Sequence, residues 1–196
     1  MKLLPYGPRA VLVEFETLEQ VMSASAAWTV AEWPAVTDVV PAARTVLVVH
    51  DGTFDSGLLA APDADAPMPV GPLVTLDVTY DGADLQWVAD QCGWTVEEVV
   101  RRHSAVEYTV AFCGFMPGFP YLVGLPSELH LPRRSTPRER VPAGAVAIAA
   151  GFTGVYPCES PGGWHLLGTT SAVMWSDDRD PPALLAPGTR VRFVPR

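Results

Sequence analysis

The stretch GFMPGFPYLVGLP, residues 114–126, sets the pattern for the second half of the chain. Three glycines and three prolines fall within these thirteen residues. Proline removes a backbone donor and fixes φ, whereas glycine permits backbone geometry that is closed to other residues. The composition therefore predicts a shaped loop, in which Phe115, Phe119 and Tyr121 either pack beneath the loop or form the wall of a site.

Short strands and two helices surround this loop. Strand candidates are residues 74–80, 108–113, 144–149, 153–156, 164–167, 172–175 and 190–194. The helical stretches are ADLQWVADQCG (83–93) and TVEEVVRRHS (95–104), and the second opens on the capping-box pair Thr95 and Glu98. Short strands at this density, with two helices packed on them, predict a closed β-barrel or a sandwich.

The first third of the chain has the pattern of a separate unit. Strand candidates at residues 10–15, 38–41 and 45–50 accompany an apolar helical stripe over 18–33. Residues 51–72, DGTFDSGLLAAPDADAPMPVGP, have the Gly, Pro, Asp and Ala content typical of a solvated linker. We therefore expect an α+β protein, with an N-terminal α+β domain and its linker in residues 1–70 and a second domain in residues 71–196.

Charge and cysteine content limit the class of protein. The 196 residues carry a formal charge of -9, with 22 acidic against 13 basic residues, which excludes a wide basic surface for nucleic acid or anionic lipid. Cys92, Cys113 and Cys158 are odd in number and lack C-x-x-C spacing, so neither a disulfide framework nor a zinc site is expected. With no apolar run of signal-peptide or membrane-spanning length, we expect a cytoplasmic protein that binds proteins or small molecules.

Several familiar catalytic signatures are missing from the sequence. Lys2 is the only lysine, which excludes a P-loop lysine, an internal Schiff-base lysine and an internal Ser-Lys amidase dyad. The chain contains no G-x-G-x-x-G, H-E-x-x-H or G-x-S-x-G pattern, and its four histidines lack metal-ligand spacing, so no metal site is expected. Any catalysis must come from residues that are distant in sequence.

Arginines are concentrated in the segment LPRRSTPRERVPAG, residues 131–144. Arg133, Arg134, Arg138 and Arg140 lie there between prolines, and guanidinium groups on a stiff loop suit carboxylate or phosphate ligands. A solvated basic turn paired with Glu139 is the alternative interpretation.

A second candidate segment is YPCESPGGWHLLG, residues 156–168. Glu159 and Ser160 precede a Pro-Gly-Gly turn, which brings backbone amides close to whatever Glu159 faces. The carboxylate is either a general base, a positioning group or an ordinary turn residue. Ser160 has no partner base nearby in sequence, and we interpret it as a turn hydroxyl rather than a nucleophile. His103, at the end of the second helix, is either a functional group or a cap for the last carbonyls.

Three blocks of sequence resemble one family. GFMPGFPYLVGLP, TPRERVPAGAVAIAAGFTGVYPCESPGGWHLLGTT and PPALLAPGTRVRFVP are similar to the proteins variously called 5-oxoprolinase B subunit, allophanate hydrolase subunit 1 and Kip-type kinase inhibitor, and to the first half of the carboxyltransferase domain of urea amidolyase-like enzymes. AVLVEF and VVPAARTVLVVHD extend the resemblance more weakly into the N-terminal third. It covers nearly the whole chain and implies a small N-terminal α+β domain followed by a cyclophilin-like β-barrel.

The resemblance also implies an activity and partners. We expect a subunit of a hetero-oligomeric, ATP-dependent amidohydrolase, a 5-oxoprolinase, that is inactive alone. Its implied partners are a second cyclophilin-like subunit, of the allophanate hydrolase subunit 2 or 5-oxoprolinase C type, and a third subunit of the 5-oxoprolinase A type. ATP, with Mg, would bind at a partner or a shared site. The alternatives are a Kip-type inhibitor of a sensor histidine kinase, a carboxyltransferase component acting on a urea-like substrate, or a scaffold.

The expected site residues come from these segments. We expect Glu159, Arg138 and His103 to be catalytic, with Glu159 positioning or deprotonating water. The expected substrate-binding residues are Phe115, Pro117, Gly118, Phe119, Tyr121, Arg133, Pro142, Gly144, Tyr156, Ser160, Gly162, Gly163 and Trp164. An amidase-type allophanate hydrolase needs a serine activated through lysine, so we do not expect this chain to hydrolyse allophanate by itself.

Overall fold

A computed structural model describes residues 1–31, 33–60 and 70–196 of the protein. The chain divides into two compact units, Met1–Val70 and Gly71–Arg196. Across the described ranges, no helix has the length and apolar character needed to cross a membrane.

The first unit contains a four-stranded antiparallel sheet and one helix. Its strands are β1 (Lys2–Pro5), β2 (Ala10–Glu14), β3 (Val36–Pro41) and β4 (Thr45–His50), in the order β1-β2-β4-β3. The helix α1 (Leu18–Val30) begins with a capping box, in which Thr17 and Gln20 each accept a hydrogen bond from the other's backbone N–H. Alternating valines of β2 and β4 pack against Trp28 of α1 to form the core of this unit.

Part of the segment interpreted as a linker packs on this first unit. A short 3₁₀ helix spans Ser56–Leu58, and the following Leu59 is buried in the core. The ring of Phe54 lies 5.3 Å from the ring of Trp33. Residues 61–69, the remainder of that segment before Val70, lie outside the described residues.

The second unit is built on a seven-stranded sheet. The described strands of this unit, including two outside the large sheet, are β5 (Leu73–Val78), β6 (Tyr108–Cys113), β7 (Pro120–Val123), β8 (Arg138–Val141), β9 (Ala145–Ala149), β10 (Phe152–Val155), β11 (Ser160–Gly162), β12 (His165–Thr169) and β13 (Arg190–Pro195). The sheet order is β12-β9-β10-β7-β6-β13-β5, while β8 and β11 form a separate two-stranded ribbon. Only the β13–β5 pair is parallel among these paired strands.

Two threonines join the edges of the large sheet. Beyond the end of β5, Thr79 exchanges two backbone hydrogen bonds with Thr169 of β12, at 2.9 and 2.8 Å. Since β5 and β12 are the two edge strands, this bridge nearly closes the sheet into a barrel and leaves little edge exposed. The predicted α+β fold with a barrel is therefore confirmed.

Strand β9 separates two apolar layers. Val146 and Ile148 point into the barrel core, which also receives residues from α2 (Leu85–Cys92) and α3 (Val96–Ser104). The alternate residues Ala145, Ala147 and Ala149 belong to a second cluster, together with Phe119, Tyr156 and Trp164. Small alanine side chains leave room for these large rings to cover the outer face of the strand.

Two predicted segments differ from the structure. Residues 172–175 form no strand, because only Trp175 makes an isolated bridge, to Ala183. Residues 114–126 are not entirely loop, because β7 lies within them and pairs with β6 and β10. Pro120 is tolerated there because it is the first residue of its strand.

Candidate functional site

The loop joining β6 to β7 holds Phe115 in a strained conformation. Phe115 has φ 68°, and the N–H of Met116 donates to the carbonyl of Gly114 at 2.8 Å across it. A three-residue turn with a positive central φ is the rarer, strained form, and strain of this kind in a non-glycine residue collects at functional sites. The ring of Phe115 is 62% exposed, so the strain holds a large apolar side chain in solvent.

The next aromatic residue of the loop has the opposite environment. Phe119 is buried, and its ring centroid lies 5.1 Å from that of Tyr156 and 5.4 Å from that of Trp164, both in edge-to-face geometry. Tyr121 joins the same cluster, 5.6 Å from Trp164. Both sequence interpretations therefore apply, to different residues: Phe119 packs beneath the loop, and Phe115 projects from it.

The arginine segment and the Pro-Gly-Gly turn form one ribbon. In the β8–β11 pair, Ser160 lies opposite Val141 and Gly162 lies opposite Arg138. Just before β8, the N–H of Arg134 donates to the carbonyl of Gly163 at 2.8 Å. The structure thus brings two of the candidate segments together, next to the aromatic cluster that Val141 also joins.

A carboxylate that the sequence analysis did not identify holds two of these arginines. Asp84, at the start of α2, is nearly buried and accepts hydrogen bonds from Arg134 (2.7 Å), from both terminal nitrogens of Arg138 (2.7 and 2.8 Å) and from the N–H of Leu166 (2.8 Å). Burial by itself raises the pKa of Asp84, but the hydrogen bonds from Arg138 and Leu166 and the two arginine charges outweigh it, so the pKa is lowered. The one available signal was an acidic residue preceding an apolar helix.

The other two arginines of the segment are differently placed. Arg140 Nε lies 3.8 Å from Glu159 Oε1, and both side chains are largely exposed. Glu159 is therefore on the surface, in a weak ion pair. Arg133 is also exposed, and within the described ranges no carboxylate lies within ion-pair distance of it.

Ser160 and Tyr156 supply hydroxyl groups at the ribbon. The Ser160 Oγ atom is buried and has no hydrogen-bond partner among the residues that the structure describes. Burial raises the pKa of Tyr156, while the nearby charge of Arg133 and the N–H of Trp164 act in the opposite direction. A side chain at Gly162 would overlap the Tyr156 hydroxyl, so glycine is required there.

Pro142 and Gly144 belong to the turn between β8 and β9. Gly144 has φ 78°, its N–H donates to the carbonyl of Tyr156 at 2.8 Å, and a Cβ on it would collide with the carbonyl of Thr170. These contacts shape the backbone of the turn. Pro117 and Gly118 similarly lie in the strained loop, where Gly118 has φ 78° and packs against Trp175.

His103 is separated from the ribbon by its burial. It has no exposed surface, its Nδ1 lies 2.8 Å from the Tyr80 hydroxyl, and its Nε2 lies 3.4 Å from Thr153 Oγ1. Burial lowers its pKa to about 3, so the ring is neutral at physiological pH. The expected catalytic set is thus dispersed, with His103 in the core, Arg138 bound to Asp84 and Glu159 on the surface.

The described residues contain no group of three or more His, Cys, Asp or Glu side chains that could hold a metal ion. The described helices also begin at acidic side chains: Glu19 lies in the first turn of α1, Asp84 precedes α2, and Glu97 and Glu98 lie in the first turn of α3. Negative charge in the first turns of α1 and α3 opposes phosphate binding at those two N-termini.

Sequence comparisons identify relatives along the whole chain. Residues 1–185 match the family model described as carboxyltransferase domain, subdomain C and D. The 5-oxoprolinase B subunit of Escherichia coli O157:H7 is 41% identical over 204 aligned residues, which cover 97% of this chain and 94% of that protein. The 5-oxoprolinase B subunit of Haemophilus influenzae is 48% identical over 127 residues, 63% of this chain and 60% of that protein.

Solved structures give the same picture. TTHA0988 superposes with a TM-score of 0.80 at 37% identity, over 96% of this chain but only 40% of that longer chain. A conserved uncharacterized protein of Pyrococcus horikoshii, PH0987, superposes with a TM-score of 0.62 at 33% identity, over 100% of this chain and 97% of that one. The urea amidolyase of K. lactis, with a TM-score of 0.72 at 19% identity, shares the fold.

Proposed function

Because the chain belongs to the family of the carboxyltransferase domain, subdomain C and D, we propose that it is the B-type subunit of a 5-oxoprolinase. The observation that carries this conclusion is the end-to-end match to the Escherichia coli protein, 41% identical over 97% of this chain and 94% of that one. The resemblance noted in the sequence is confirmed by the comparisons. The kinase-inhibitor and carboxyltransferase alternatives are not favoured, since the curated relatives are each named as the B subunit of 5-oxoprolinase.

The proposed reaction converts 5-oxoproline, ATP and water into glutamate, ADP and phosphate. An unstrained lactam is a poor electrophile because its nitrogen donates electron density to the carbonyl. Transfer of the terminal phosphoryl group of ATP to the amide oxygen would make the carbonyl carbon electrophilic. A first water would add to this carbon and the protonated ring nitrogen would leave, which opens the ring to an acyl phosphate; a second water would hydrolyse the acyl phosphate to glutamate and phosphate. The complex must therefore hold a carboxylated lactam, a nucleotide and a water molecule together.

We propose that ATP, with Mg, is bound mainly by a partner subunit. The acidic first turns of α1 and α3 oppose a triphosphate, and Arg134 and Arg138 are already engaged by Asp84. This chain would then contribute groups that bind the lactam and, through Glu159, a carboxylate that orients or deprotonates water. Glu159 is exposed here, so this role requires that a partner enclose it.

The proposed partners are a second cyclophilin-like subunit and a third, A-type subunit. TTHA0988 supports the first of these, because the region similar to this chain makes up only 40% of a longer polypeptide. In Escherichia coli the corresponding protein is a separate chain of nearly this length. We infer that the remaining part of TTHA0988 corresponds to the second partner subunit proposed here, and that this chain has no oxoprolinase activity alone.

The test is reconstitution. The chain would be co-expressed with the products of its neighbouring genes, the assembly purified, and glutamate and ADP release measured with 5-oxoproline and ATP. We expect equimolar release that needs both substrates and disappears when this chain is omitted. A stable assembly that contains this chain but releases no glutamate from 5-oxoproline would contradict the proposal.

A further inference from the structure

Arg133 differs from the other arginines of its segment. Arg134 and Arg138 donate to the nearly buried carboxylate of Asp84, and Arg140 has Glu159 at 3.8 Å. Arg133 has no acidic partner in the part of the chain that the structure describes, although the protein has 22 acidic residues against 13 basic ones. Its guanidinium is thus the one in this segment that is free to bind an added anion.

The backbone on both sides of Arg133 is anchored. On one side, the carbonyl of Pro132 accepts a hydrogen bond from His165 Nε2 at 2.8 Å. On the other, the N–H of Arg134 donates to the carbonyl of Gly163 at 2.8 Å, and its guanidinium is bound to Asp84. An exposed side chain on so constrained a backbone is suited to ligand binding, because less conformational freedom is lost when the ligand arrives.

The surroundings of Arg133 supply further polar groups. Its charge acts to lower the pKa of the phenol of Tyr156, whose ring belongs to the aromatic cluster. On the adjoining ribbon, the Ser160 hydroxyl is buried without a hydrogen-bond partner among the described residues. An unpartnered buried hydroxyl is costly unless a ligand or water completes it, so the ribbon that adjoins the Arg133 segment holds an unsatisfied polar group.

We propose that Arg133 binds the carboxylate of the lactam substrate and that Asp84, through Arg134 and Arg138, positions the loop that carries it. This inference rests on the proposed function and names the residue that recognises the acid group of the substrate. A planar guanidinium matches a carboxylate with two parallel hydrogen bonds. An exposed pair of this kind is weak in water, so a partner subunit that covers the ribbon would strengthen it.

The assembled complex tests this assignment. Arg133→Ala is expected to raise the KM for 5-oxoproline about 10- to 100-fold, the range for losing a charged hydrogen-bonded pair, and to leave the KM for ATP unchanged. Arg133→Lys should recover part of the loss. The matched control is Arg101→Ala, which removes another exposed arginine, on α3, and should change neither constant. An unchanged KM for 5-oxoproline would overturn the proposal.

Two other outcomes would also overturn it. A rise confined to the KM for ATP would show that Arg133 binds phosphate instead, and loss of the partner subunit on gel filtration would show that it pairs with a carboxylate of that partner. Calorimetric binding to the same complex separates the site from the reaction. Arg133-dependent preference for 5-oxoproline over 2-pyrrolidinone, the same ring without the carboxylate, would support the site even if no turnover occurred, while equal binding of the two would contradict it.

Discussion

Arg138 donates two hydrogen bonds to the carboxylate of Asp84, from Nη1 to Oδ2 at 2.7 Å and from Nη2 to Oδ1 at 2.8 Å, across 54 residues of sequence. The pair joins the start of α2 to the ribbon β8–β11. Asp84 also receives the N–H of Leu166 in β12, so one carboxylate connects a helix, the ribbon and the barrel wall. Both terminal nitrogens of Arg138 thus hold the ribbon against the start of α2.

Removing Asp84 is expected to destabilise the second unit strongly. Asp84→Ala leaves two arginines without their counter-charge, and breaking such a buried pair costs about 3 kcal/mol of the free energy of unfolding. Denaturant unfolding of the isolated chain measures this cost. The control is Arg101→Ala, which breaks an exposed pair with Glu98 and should change the free energy of unfolding little. Equal, small effects of both substitutions would show that the Asp84 cluster is not a structural centre.

His103 should make stability depend on pH. Its folded pKa of about 3 lies below its unfolded value of 6.5, so between these two pH values only the unfolded chain takes up the proton. The contribution of His103 to the free energy of unfolding is therefore complete above pH 6.5 and is lost as the pH falls from 6.5 towards 3. The slope approaches about 1.4 kcal/mol per pH unit. The free energies of unfolding of the wild type and of His103→Gln, measured between pH 7 and 4, should converge as the pH falls. Parallel curves would contradict a neutral buried imidazole.

Phe115 is expected to contribute to assembly rather than to folding. Phe115→Gly removes the backbone strain and the exposed ring, so the free energy of unfolding should lie within about 1 kcal/mol of the wild-type value. Loss of an aromatic anchor should weaken binding of the partner subunit at least about 10-fold. Phe115→Tyr keeps the ring and is the matched control. Binding by Phe115→Gly at wild-type strength would show that the ring lies outside the interface.

Closure of the barrel should depend on Gly168. A Cβ at this position would overlap the carbonyl of Thr79 and crowd Tyr80, next to the bridge that joins the sheet edges. Gly168→Ala is expected to lower the free energy of unfolding by about 1–3 kcal/mol. At Gly163 the nearest atom to an added Cβ is 3.7 Å away, so Gly163→Ala should have little effect on unfolding. A similar result for both variants would contradict tight closure at this edge.

Glu159 and Arg138 are expected to affect activity in different ways. If Glu159 activates water, Glu159→Gln should lower the kcat of the assembled complex about 100-fold or more without changing its yield. Arg138→Ala should lower the yield of folded complex, because its loss leaves Asp84 with one arginine fewer. Full activity of both variants in the assembled complex would rule out both roles.

Elements with a clear apolar pattern were predictable. The strands β2, β4, β5, β6, β9 and β13 carry β-branched or apolar residues in continuous or alternating runs. Helix α2 ends at the C-cap Gly93, and α3 begins after the N-cap Thr95, and both residues are recognisable helix signals. The strands β1, β7, β8 and β11 were not predicted. They are short, contain proline or charged residues, and owe their pairing to neighbours rather than to their own composition.

Local pattern was enough to locate the aromatic loop, the arginine segment and the Pro-Gly-Gly turn, because glycine, proline and arginine act through their own backbone and side-chain chemistry. It did not reveal that Asp84 pairs with Arg134 and Arg138, that Arg133 has no acidic partner among the described residues, or that His103 is buried and neutral. Those properties depend on contacts across about 50 residues or more and on exclusion of water, which arise only when the barrel closes and the ribbon packs against it.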